Sequence, residues 1–206
     1  GLMVVNKPSG IAVHGGSGVA YGLIEGLRAA TGKKYLELIH RIDRDTSGLV
    51  MISKKRSTLK TLQDLLREHK IQKTYAAIVK GQVSLDQQLI DQPLLRYELA
   101  NGERRVRVSK EGKESKTQWK VAERFMHATL VYASPLSGRT HQIRVHGLSI
   151  GHPLVGDQVY GRRHSQLPDF HRQALHATRR EGERLARARD DALDCLYDCT
   201  IQPVTP

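Results

Sequence analysis

The sequence predicts an α+β protein in which a mixed, mostly antiparallel sheet is flanked by helices. Several runs of β-type composition follow one another with connections of turn length, and few crossover helices separate them. Two further segments have the apolar periodicity of amphipathic helices. Hydrophobic residues make up 39% of the chain and charged residues 26%, as is typical of a globular protein. We expect one domain over residues 1–178 and an atypical C-terminal tail over residues 179–206.

The first third of the chain contains three predicted strands and two predicted helices. A short apolar strand at 2–6 ends at a Lys-Pro-Ser-Gly turn, and a Gly-rich loop then leads to a helix at 19–30. Strands follow at 36–42 and 48–53, and the second is apolar enough to be buried on both faces. Residues 55–69 predict an amphipathic helix. Its inward leucines are Leu59, Leu62, Leu65 and Leu66.

The remainder of the chain is dominated by predicted strands. These lie at 73–79, 104–109, 115–123 and 126–134, and a helix at 140–150 follows, with Thr140 as its capping residue. The tail differs, because Arg179–Asp198 has five arginines, six acids and no alternating apolar strand. A helical period is predicted there instead. It is carried by Leu185, Ala188, Ala192, Leu196 and Cys199.

The charge of the chain indicates a polyanionic partner. Thirty-three Lys and Arg against 21 Asp and Glu give a net charge of +12, for which nucleic acid is the usual partner. Basic residues concentrate in two segments, 53–80 and 104–120, with eight and seven Lys or Arg and two acids each. A solvated helix face with a charge-protected edge strand would have similar composition, but two such segments favour a surface that contacts phosphates.

Several classes of protein are excluded by missing patterns. The sequence has no apolar run long enough to span a membrane and no secretory signal pattern. Two cysteines, Cys195 and Cys199, are too few for a disulfide framework, so a reducing, cytoplasmic location is expected. There is no phosphate-binding GxxxxGK[ST] loop, no GxSxG nucleophile elbow, and no HExxH or other convincing metal-ligand spacing. We expect no metal ion.

The segment HRIDRDTSG, residues 40–48, is the first candidate site. It places two cations and two carboxylates within five positions between apolar strands. An ionised aspartate there can act as a nucleophile or base at a sugar carbon. Asp43 and Asp45 could also act together in hydrolysis of an N-glycosidic bond, since residues two apart on a strand share a face at roughly 7 Å. A plain surface turn with local ion pairs is the third interpretation.

Two further segments carry candidate residues. In SPLSGRTHQIRVH, residues 134–146, Arg139 and Arg144 are five apart, so only one of them readily faces a given pocket. In QKTYAAIVKG, residues 72–81, Tyr75 lies on one side of a predicted strand together with Lys73. A tyrosine in that position can serve core packing or contact a substrate.

Taken together, these segments resemble the RluA/RluC family of RNA pseudouridine synthases. The resemblance rests on NKPSG (6–10), HRIDRDTSG (40–48), QKTYAAIVKG (72–81) and GRTHQIRVHGLSIGHPLVGD (138–157), which occur in the family's order, and it continues to LHAT at 175–178. The chain is most similar to the RluC type, whose substrate is large-subunit (23S) ribosomal RNA. The resemblance therefore implies the pseudouridine synthase catalytic fold for residues 1–178.

The resemblance also implies a reaction and a set of site residues. Members of the family detach uracil from C1′ of a uridine in RNA, rotate it and rejoin it through C5, with no cofactor. The essential aspartate corresponds to Asp43, which could either attack C1′ or remove a proton at C2′. The base-stacking tyrosine corresponds to Tyr75, and the arginine that pairs with the aspartate corresponds to Arg144. Arg41 corresponds to the residue that fills the gap left by the extruded base, and Ile143 to an apolar residue near the pocket.

The chain departs from the family's pattern at both ends. Members of the RluC type carry an N-terminal S4 RNA-binding domain that is not present in residues 1–206, so weaker selection of the modified site is expected. The tail lacks the apolar strand that completes the sheet in the family, which leaves open an inactive, purely RNA-binding domain as the alternative function. We expect a monomer whose partner is RNA and which does not bind membranes.

Overall fold

The computed structural model describes residues 1–16, 20–161 and 197–203 of the chain. Its internal contacts divide it into two compact units. The first contains Gly1–Thr74 together with the final strand, and the second begins at Tyr75.

The first unit is built on an antiparallel arrangement of three strands. They are β1 (Leu2–Lys7), β2 (Glu37–Leu38) and β3 (Ser47–Ser53). Both β1 and β2 pair with β3, which lies between apolar surfaces because six of its seven residues are buried. The prediction that this strand is buried on both faces is confirmed. The last pair of the β1–β3 ladder places Lys7 opposite Gly48, so β1 ends beside the start of β3.

Two helices belong to the first unit. Helix α1 (Leu23–Thr31) follows Gly22, whose N–H donates to Oε2 of Glu25 at 2.9 Å, and ends at Gly32 with φ of 65°. Helix α2 (Arg56–Arg67) has its leucines half-buried and its cations outward, as the apolar periodicity predicts. In the described part of the chain, no helix combines the length and apolarity that crossing a lipid bilayer requires.

The second unit contains most of the strands. They are β4 (Ile71–Lys80, of which Tyr75 onward belongs here), β5 (Gln87–Asp91), β6 (Leu94–Glu98), β7 (Arg104–Val108), β8 (Lys116–Arg124) and β9 (Ala128–Pro135). Strands β4, β9, β8 and β5 are neighbours in this order in an antiparallel sheet. Strands β6 and β7 form a separate two-stranded hairpin, and helix α3 (Gln142–Ser149) follows β9.

Helix α3 packs against both parts of the second unit. On the sheet side, Trp119 of β8 is 1% exposed and lies close to the backbone of Gly147. On the hairpin side, Val145 forms an apolar cluster with Leu94, Val106 and Tyr160. Burying side chains of this size stabilises the fold by about 1.5–3 kcal/mol each, so α3 is fixed from two directions.

The final strand corrects the prediction for the tail. Strand β10 (Tyr197–Pro203) pairs in parallel with β3 through Asp198 and Cys199. The sequence predicts no strand within residues 179–198 and places Cys199 on a helical period, and both predictions are wrong, the first at Tyr197 and Asp198. The alternation of Tyr197, Cys199 and Ile201 is a strand pattern that overlaps the helical one. The other residues of the predicted helical stretch lie outside the described part of the chain.

The strand predicted at 36–42 is also shorter than expected. Only Glu37–Leu38 is a strand, and pairing with β3 ends after the N–H of Ile39 donates to the carbonyl of Met51 at 3.0 Å. The N–H of Met51 then donates to the imidazole Nε2 of His40 at 3.1 Å rather than to a backbone carbonyl. A hydrogen bond to a side chain therefore takes the place of the next backbone hydrogen bond between β2 and β3. The residues that follow His40 lie beyond the β2–β3 ladder and form the candidate loop.

Candidate active site

The candidate catalytic loop, residues 40–46, is held by a buried lysine. The side chain of Lys7 has 0% exposure, and its ammonium donates to the carbonyl oxygens of Pro8 and Arg44 at 2.8 and 2.9 Å. A buried ammonium requires such acceptors, because removing an unpaired charge from water is strongly unfavourable. Lys7 therefore joins the turn after β1 to the loop before β3.

Two neighbours of Lys7 reinforce the same connection. The hydroxyl of Ser9 donates to the carbonyl of Asp45 at 2.9 Å, and the N–H of Gly10 donates to the carbonyl of Arg44 at 2.9 Å. Gly10 has φ of 85°, a left-handed conformation that favours glycine. The motifs NKPSG and HRIDRDTSG, separate in sequence, thus form one local structure in the first unit.

Asp43 opens a tight turn in this loop. Its carbonyl accepts the N–H of Thr46 at 3.2 Å, and its side chain is half-buried. Arg44 and Asp45 form the tip of the turn, where Nε of Arg44 and Oδ1 of Asp45 pair at 3.0 Å with 63% and 43% of their side chains exposed. The paired-carboxylate hypothesis assumed that Asp43 and Asp45 lie on a strand. That assumption is wrong, because residues 43–46 form a turn.

His40 supports the loop from within the first unit. Burial, together with the positive charge of Lys73, lowers the pKa of His40 to about 4. The imidazole is therefore neutral near pH 7, which leaves Nε2 able to accept the N–H of Met51. Protonation of His40 would remove that acceptor from the start of the loop.

The predicted substrate-binding residues differ in exposure. Arg41, beside Asp43 in the first unit, is exposed. In the second unit, Tyr75 is 6% exposed on β4 opposite Ala133 of β9, and Ile143 is 4% exposed in α3. Arg41 is thus available to a ligand in solution, whereas Tyr75 and Ile143 belong to the packed part of their unit.

Arg144 is buried in a bidentate ion pair with Asp157. Its Nε donates to Oδ2 of Asp157 at 2.7 Å and its Nη2 to Oδ1 at 2.8 Å, with 7% and 0% of the two side chains exposed. The two parallel bonds fix the plane of the guanidinium. Of the two arginines considered from the sequence, Arg139 is exposed and lies before the helix, which begins at Gln142.

Asp157 is held by more than the arginine. Its Oδ1 also accepts the backbone N–H groups of Val159 and Tyr160 at 2.9 and 3.0 Å. Burial by itself raises the pKa of the Asp157 carboxyl, but the hydrogen bonds and charge of Arg144, with the two N–H groups, hold that pKa below its ordinary value. Asp157 is therefore an anion at neutral pH and a fixed counter-charge for Arg144.

Tyr160 completes this cluster. The guanidinium of Arg144 lies 4.9 Å from the centroid of its ring, at cation–π distance. Burial raises the pKa of Tyr160 to about 12, so its hydroxyl keeps a proton. That hydroxyl accepts the N–H of Val106 at 3.0 Å and is hydrogen-bonded to Nδ1 of His141 at 2.8 Å.

The start of α3 corrects one expectation from the sequence. The capping residue is His141, with φ of 53°, rather than the predicted Thr140. The side chain of Gln142 ties the preceding turn to the helix, because its Oε1 accepts the N–H of Arg139 at 3.0 Å and the hydroxyl of Ser137 at 2.7 Å. A glutamine in the first turn thus fixes the path of the chain into α3.

Sequence reasoning missed Asp157 and Tyr160 as members of this cluster. Asp157 ends the motif GHPLVGD on which the family resemblance rests, so its position was noted without a role. Asp157 could have been identified from Arg144, because an arginine on an apolar helix face requires a carboxylate partner. Among the described residues, no group of three or more His, Cys, Asp or Glu side chains could hold a metal ion.

Comparisons with known proteins agree with the motifs. A model of the RNA pseudouridylate synthase family matches residues 1–149. The chain is 54% identical over 181 residues to the ribosomal large subunit pseudouridine synthase C of Yersinia pestis, covering 85% of this chain and 57% of that protein. The protein of the same name from Escherichia coli (strain K12) is 52% identical over 177 residues, covering 85% of this chain and 54% of that protein.

Two solved structures that resemble this chain have names from the same family. Human RNA pseudouridylate synthase domain containing 1 matches with a TM-score of 0.65 and 26% identity, covering 78% of this chain and 66% of that one. Human RNA pseudouridylate synthase domain containing 4 matches with a TM-score of 0.63 and 28% identity, covering 77% and 65%. The chain spans little more than half the length of the curated relatives named above. The family resemblance and the α+β fold predicted from the sequence are both confirmed, and the chain belongs to the RNA pseudouridylate synthase family.

Proposed function

We propose that this chain isomerises uridine to pseudouridine in large-subunit ribosomal RNA. The observation that carries the proposal is the extent of the family match, since residues 1–149 contain all five predicted site residues. The choice of RNA follows the names of the relatives, which are ribosomal large subunit pseudouridine synthases. The net charge of +12 suits a polyanionic substrate.

Asp43 is the catalytic residue in this proposal. Its carboxylate either attacks C1′ of the target uridine or removes a proton at C2′, and in both routes the bond between C1′ and N1 breaks and a bond between C1′ and C5 forms. The proton lost from C5 balances the one gained at N1. Support comes from the local structure of the first unit, in which Lys7, Ser9 and Gly10 fix the loop that carries Asp43.

Arg144 serves as the cationic partner of Asp43, the role implied by the family resemblance. The guanidinium is suited to this role because Asp157 fixes it through Nε and Nη2 and Tyr160 lies against its face. A guanidinium held in this way presents its remaining N–H groups in a set direction. Asp157 is thus a positioning residue for the reaction.

The other site residues handle the base. A base within a helix must be extruded before its glycosidic bond is reached, at an expense of a few kcal/mol. In the proposal Tyr75 stacks on the extruded uracil, for which about 1–3 kcal/mol is typical. Arg41 occupies the gap that the extruded base leaves in the RNA, and its side chain is exposed as this role requires. Ile143 packs beside the pocket.

The reaction places few further demands on the protein. Substrate and product are isomers, so the chemistry consumes no oxidant, reductant or group donor, and we propose that no cofactor takes part. We further propose that the chain acts as a monomer in the cytoplasm, where its RNA substrate would be found.

The test is incubation of the purified chain with unmodified large-subunit ribosomal RNA, followed by mapping of pseudouridine at nucleotide resolution. We expect product from the natural sequence and from Asp45→Asn, and none from Asp43→Asn. The Asp45→Asn variant is the matched control, because both carboxylates lie in one turn. Release of free uracil would indicate a hydrolase, and RNA binding without product would indicate an inactive binding domain. Either result contradicts the proposal, as does product from Asp43→Asn.

A further inference from the structure

A groove of 680 Å³ lies between the β6–β7 hairpin and α3 in the second unit. Val145, Leu148 and Ser149 line it from α3, and Val159 and Tyr160 line it from the turn after the helix. The hairpin contributes Tyr97, Arg105, Val106, Arg107 and Val108. Of these residues only Tyr160, which lies against the guanidinium of Arg144, has a role in the reaction as proposed above.

The walls of the groove are tied together by hydrogen bonds. Nη1 of Arg105 donates to the carbonyl of Val159 at 3.2 Å, and the N–H of Val106 donates to the hydroxyl of Tyr160 at 3.0 Å. Arg105 is further held by two bonds to the carboxylate of Glu103, each 3.0 Å long. The groove is therefore a fixed feature of the second unit.

The floor and the rim of the groove differ in chemistry. Val106 and Val145, at 4% and 3% exposure, make an apolar floor. At the rim, Tyr97 is 36% exposed and the guanidinium of the exposed Arg107 lies 5.3 Å from the centroid of its ring. An apolar slot with a flat aromatic ring and a planar cation at its edge matches the shape and polarity of a nucleobase.

The charges around the groove favour a nucleotide over a peptide. No acidic residue lines it among the described residues. The arginines at either side of the rim differ, since Arg105 is paired with Glu103, whereas Arg107 has no ion pair in the described part of the chain. A phosphate beside a docked base would supply the missing counter-charge to Arg107.

The groove adjoins the candidate active site within the second unit. Tyr160 lines it and also lies 4.9 Å from the guanidinium of Arg144. One side chain thus separates the groove from a predicted substrate-binding residue. A nucleotide that enters the groove would be close in the RNA to the uridine that is modified.

We propose that this groove binds an unpaired nucleobase flanking the target uridine, with the base on Tyr97 and its phosphate at Arg107. The proposal rests on the proposed function, because it takes RNA as the partner. The β6–β7 hairpin would then help to determine which uridine is modified. A flanking base that is stacked within a helix would have to be extruded before it could enter the groove, so uridines beside an unpaired base would be favoured.

The experiment measures the Kd of the full chain for a large-subunit ribosomal RNA fragment at fixed salt. We expect Tyr97→Ala to raise Kd about 10-fold, equivalent to about 1.4 kcal/mol at 25 °C. Arg107→Gln should weaken binding more than Arg96→Gln. Arg96 is the matched control, because it lies beside Tyr97, has the same charge and exposure, and does not line the groove. Unchanged melting temperatures would show that the variants keep the fold.

A set of RNAs, each with one abasic nucleotide near the target, identifies the docked base. At one position the abasic RNA should bind the natural chain about 10-fold more weakly, with no further loss from Tyr97→Ala. A Kd changed less than 2-fold by Tyr97→Ala, or equal losses from the two arginine variants, would overturn the groove proposal. Pseudouridine formation is scored separately. Absence of product with Tyr97-dependent binding would refute only the proposed function, and product with Tyr97-independent binding would refute only the groove.

Discussion

Replacing Asp157 by asparagine tests whether Arg144 depends on a buried counter-charge. The two side chains have nearly the same volume, so packing is little changed. The amide oxygen can still accept the N–H groups of Val159 and Tyr160, which now bond to Oδ1. The 2.7 Å bond from Nε of Arg144 to Oδ2 is lost, because an NH₂ group would replace that oxygen.

The magnitude follows from the burial of both partners. Arg144 and Asp157 have 7% and 0% of their side chains exposed, so water does not replace the lost carboxylate. Breaking such a pair from one side costs about 3–5 kcal/mol, and the retained bonds favour the lower end of that range. We expect the free energy of unfolding to fall by about 3 kcal/mol, a large part of the roughly 5–15 kcal/mol typical of a domain.

The assay is urea unfolding of the natural chain, Asp157→Asn, Arg144→Met and the double variant Arg144→Met/Asp157→Asn. If the pair acts as a unit, the double variant should lose less stability than the sum of the two single losses, by about 1 kcal/mol or more. Additive losses, or a loss below about 1 kcal/mol from Asp157→Asn, would refute the reasoning. Pseudouridine formation by Asp157→Asn, measured under conditions where it is folded, should also fall, mainly through kcat.

The pH dependence of stability supplies an independent check on the same residue. The pKa of Asp157 is held below its ordinary value of 3.8. The unfolded chain therefore takes up this proton first as the pH falls, and the stabilisation, fully present above about pH 5, is lost below pH 4. In Asp157→Asn, the free energy of unfolding should therefore fall less steeply as the pH is lowered below about 5, because one titrating carboxylate is missing. An unchanged pH dependence would contradict the role of the ion pair.

Three other predictions concern the loop and the substrate. Lys7→Met should lower the free energy of unfolding by about 1–3 kcal/mol in urea titrations, because the carbonyls of Pro8 and Arg44 lose the buried ammonium that joins them, although Arg44 keeps the N–H of Gly10. Because the pKa of His40 is about 4, against 6.5 ordinarily, stability should decline as pH falls from about 6.5 towards 4, and His40→Gln should reduce that decline in thermal melts. Tyr75→Phe should keep most RNA-modifying activity, whereas Tyr75→Ala should lose about 10-fold or more, as measured by pseudouridine yield.

The elements with strong periodicity could be predicted from the sequence. Strand β3 is a continuous apolar run, and α2 repeats leucine at helical spacing, so each has only one plausible conformation. Strands β5 and β6 were missed because their segment contains Pro93 and charged residues, and their register depends on pairing with strands distant in sequence. Strand β10 was missed because Cys199 also continues the helical period of the preceding residues, and the apolar alternation of the strand is short.

Candidate residues within one local motif could be proposed from the sequence, whereas Asp157, whose contact with Arg144 depends on the tertiary structure, could not. Asp43 and Arg41 lie in a short charged segment between apolar strands, which is a visible signal. Asp157 is 13 residues from Arg144 and acts only because the chain turns back after α3. The separation of 13 residues does not indicate a contact unless the positions of α3 and of the turn after it are known.

The direction of Arg144 is set by α3 as a whole, because the helix is held on a second side by buried hydrogen bonds. Nε2 of Gln142 donates to the hydroxyl of Thr117 at 3.0 Å, and that hydroxyl lies 2.8 Å from Nδ1 of His146. Burial lowers the pKa of His146, so its ring is neutral, accepts at Nδ1 and donates from Nε2 to the carbonyl of Gln92 at 3.0 Å. The second N–H of the Gln142 amide donates to the carbonyl of Lys116 at 2.9 Å, and none of these groups changes charge near pH 7. Arg144 lies between Gln142 and His146 in the same helix, so the hydrogen bonds that hold the helix on this side of Arg144 involve no group that titrates near pH 7.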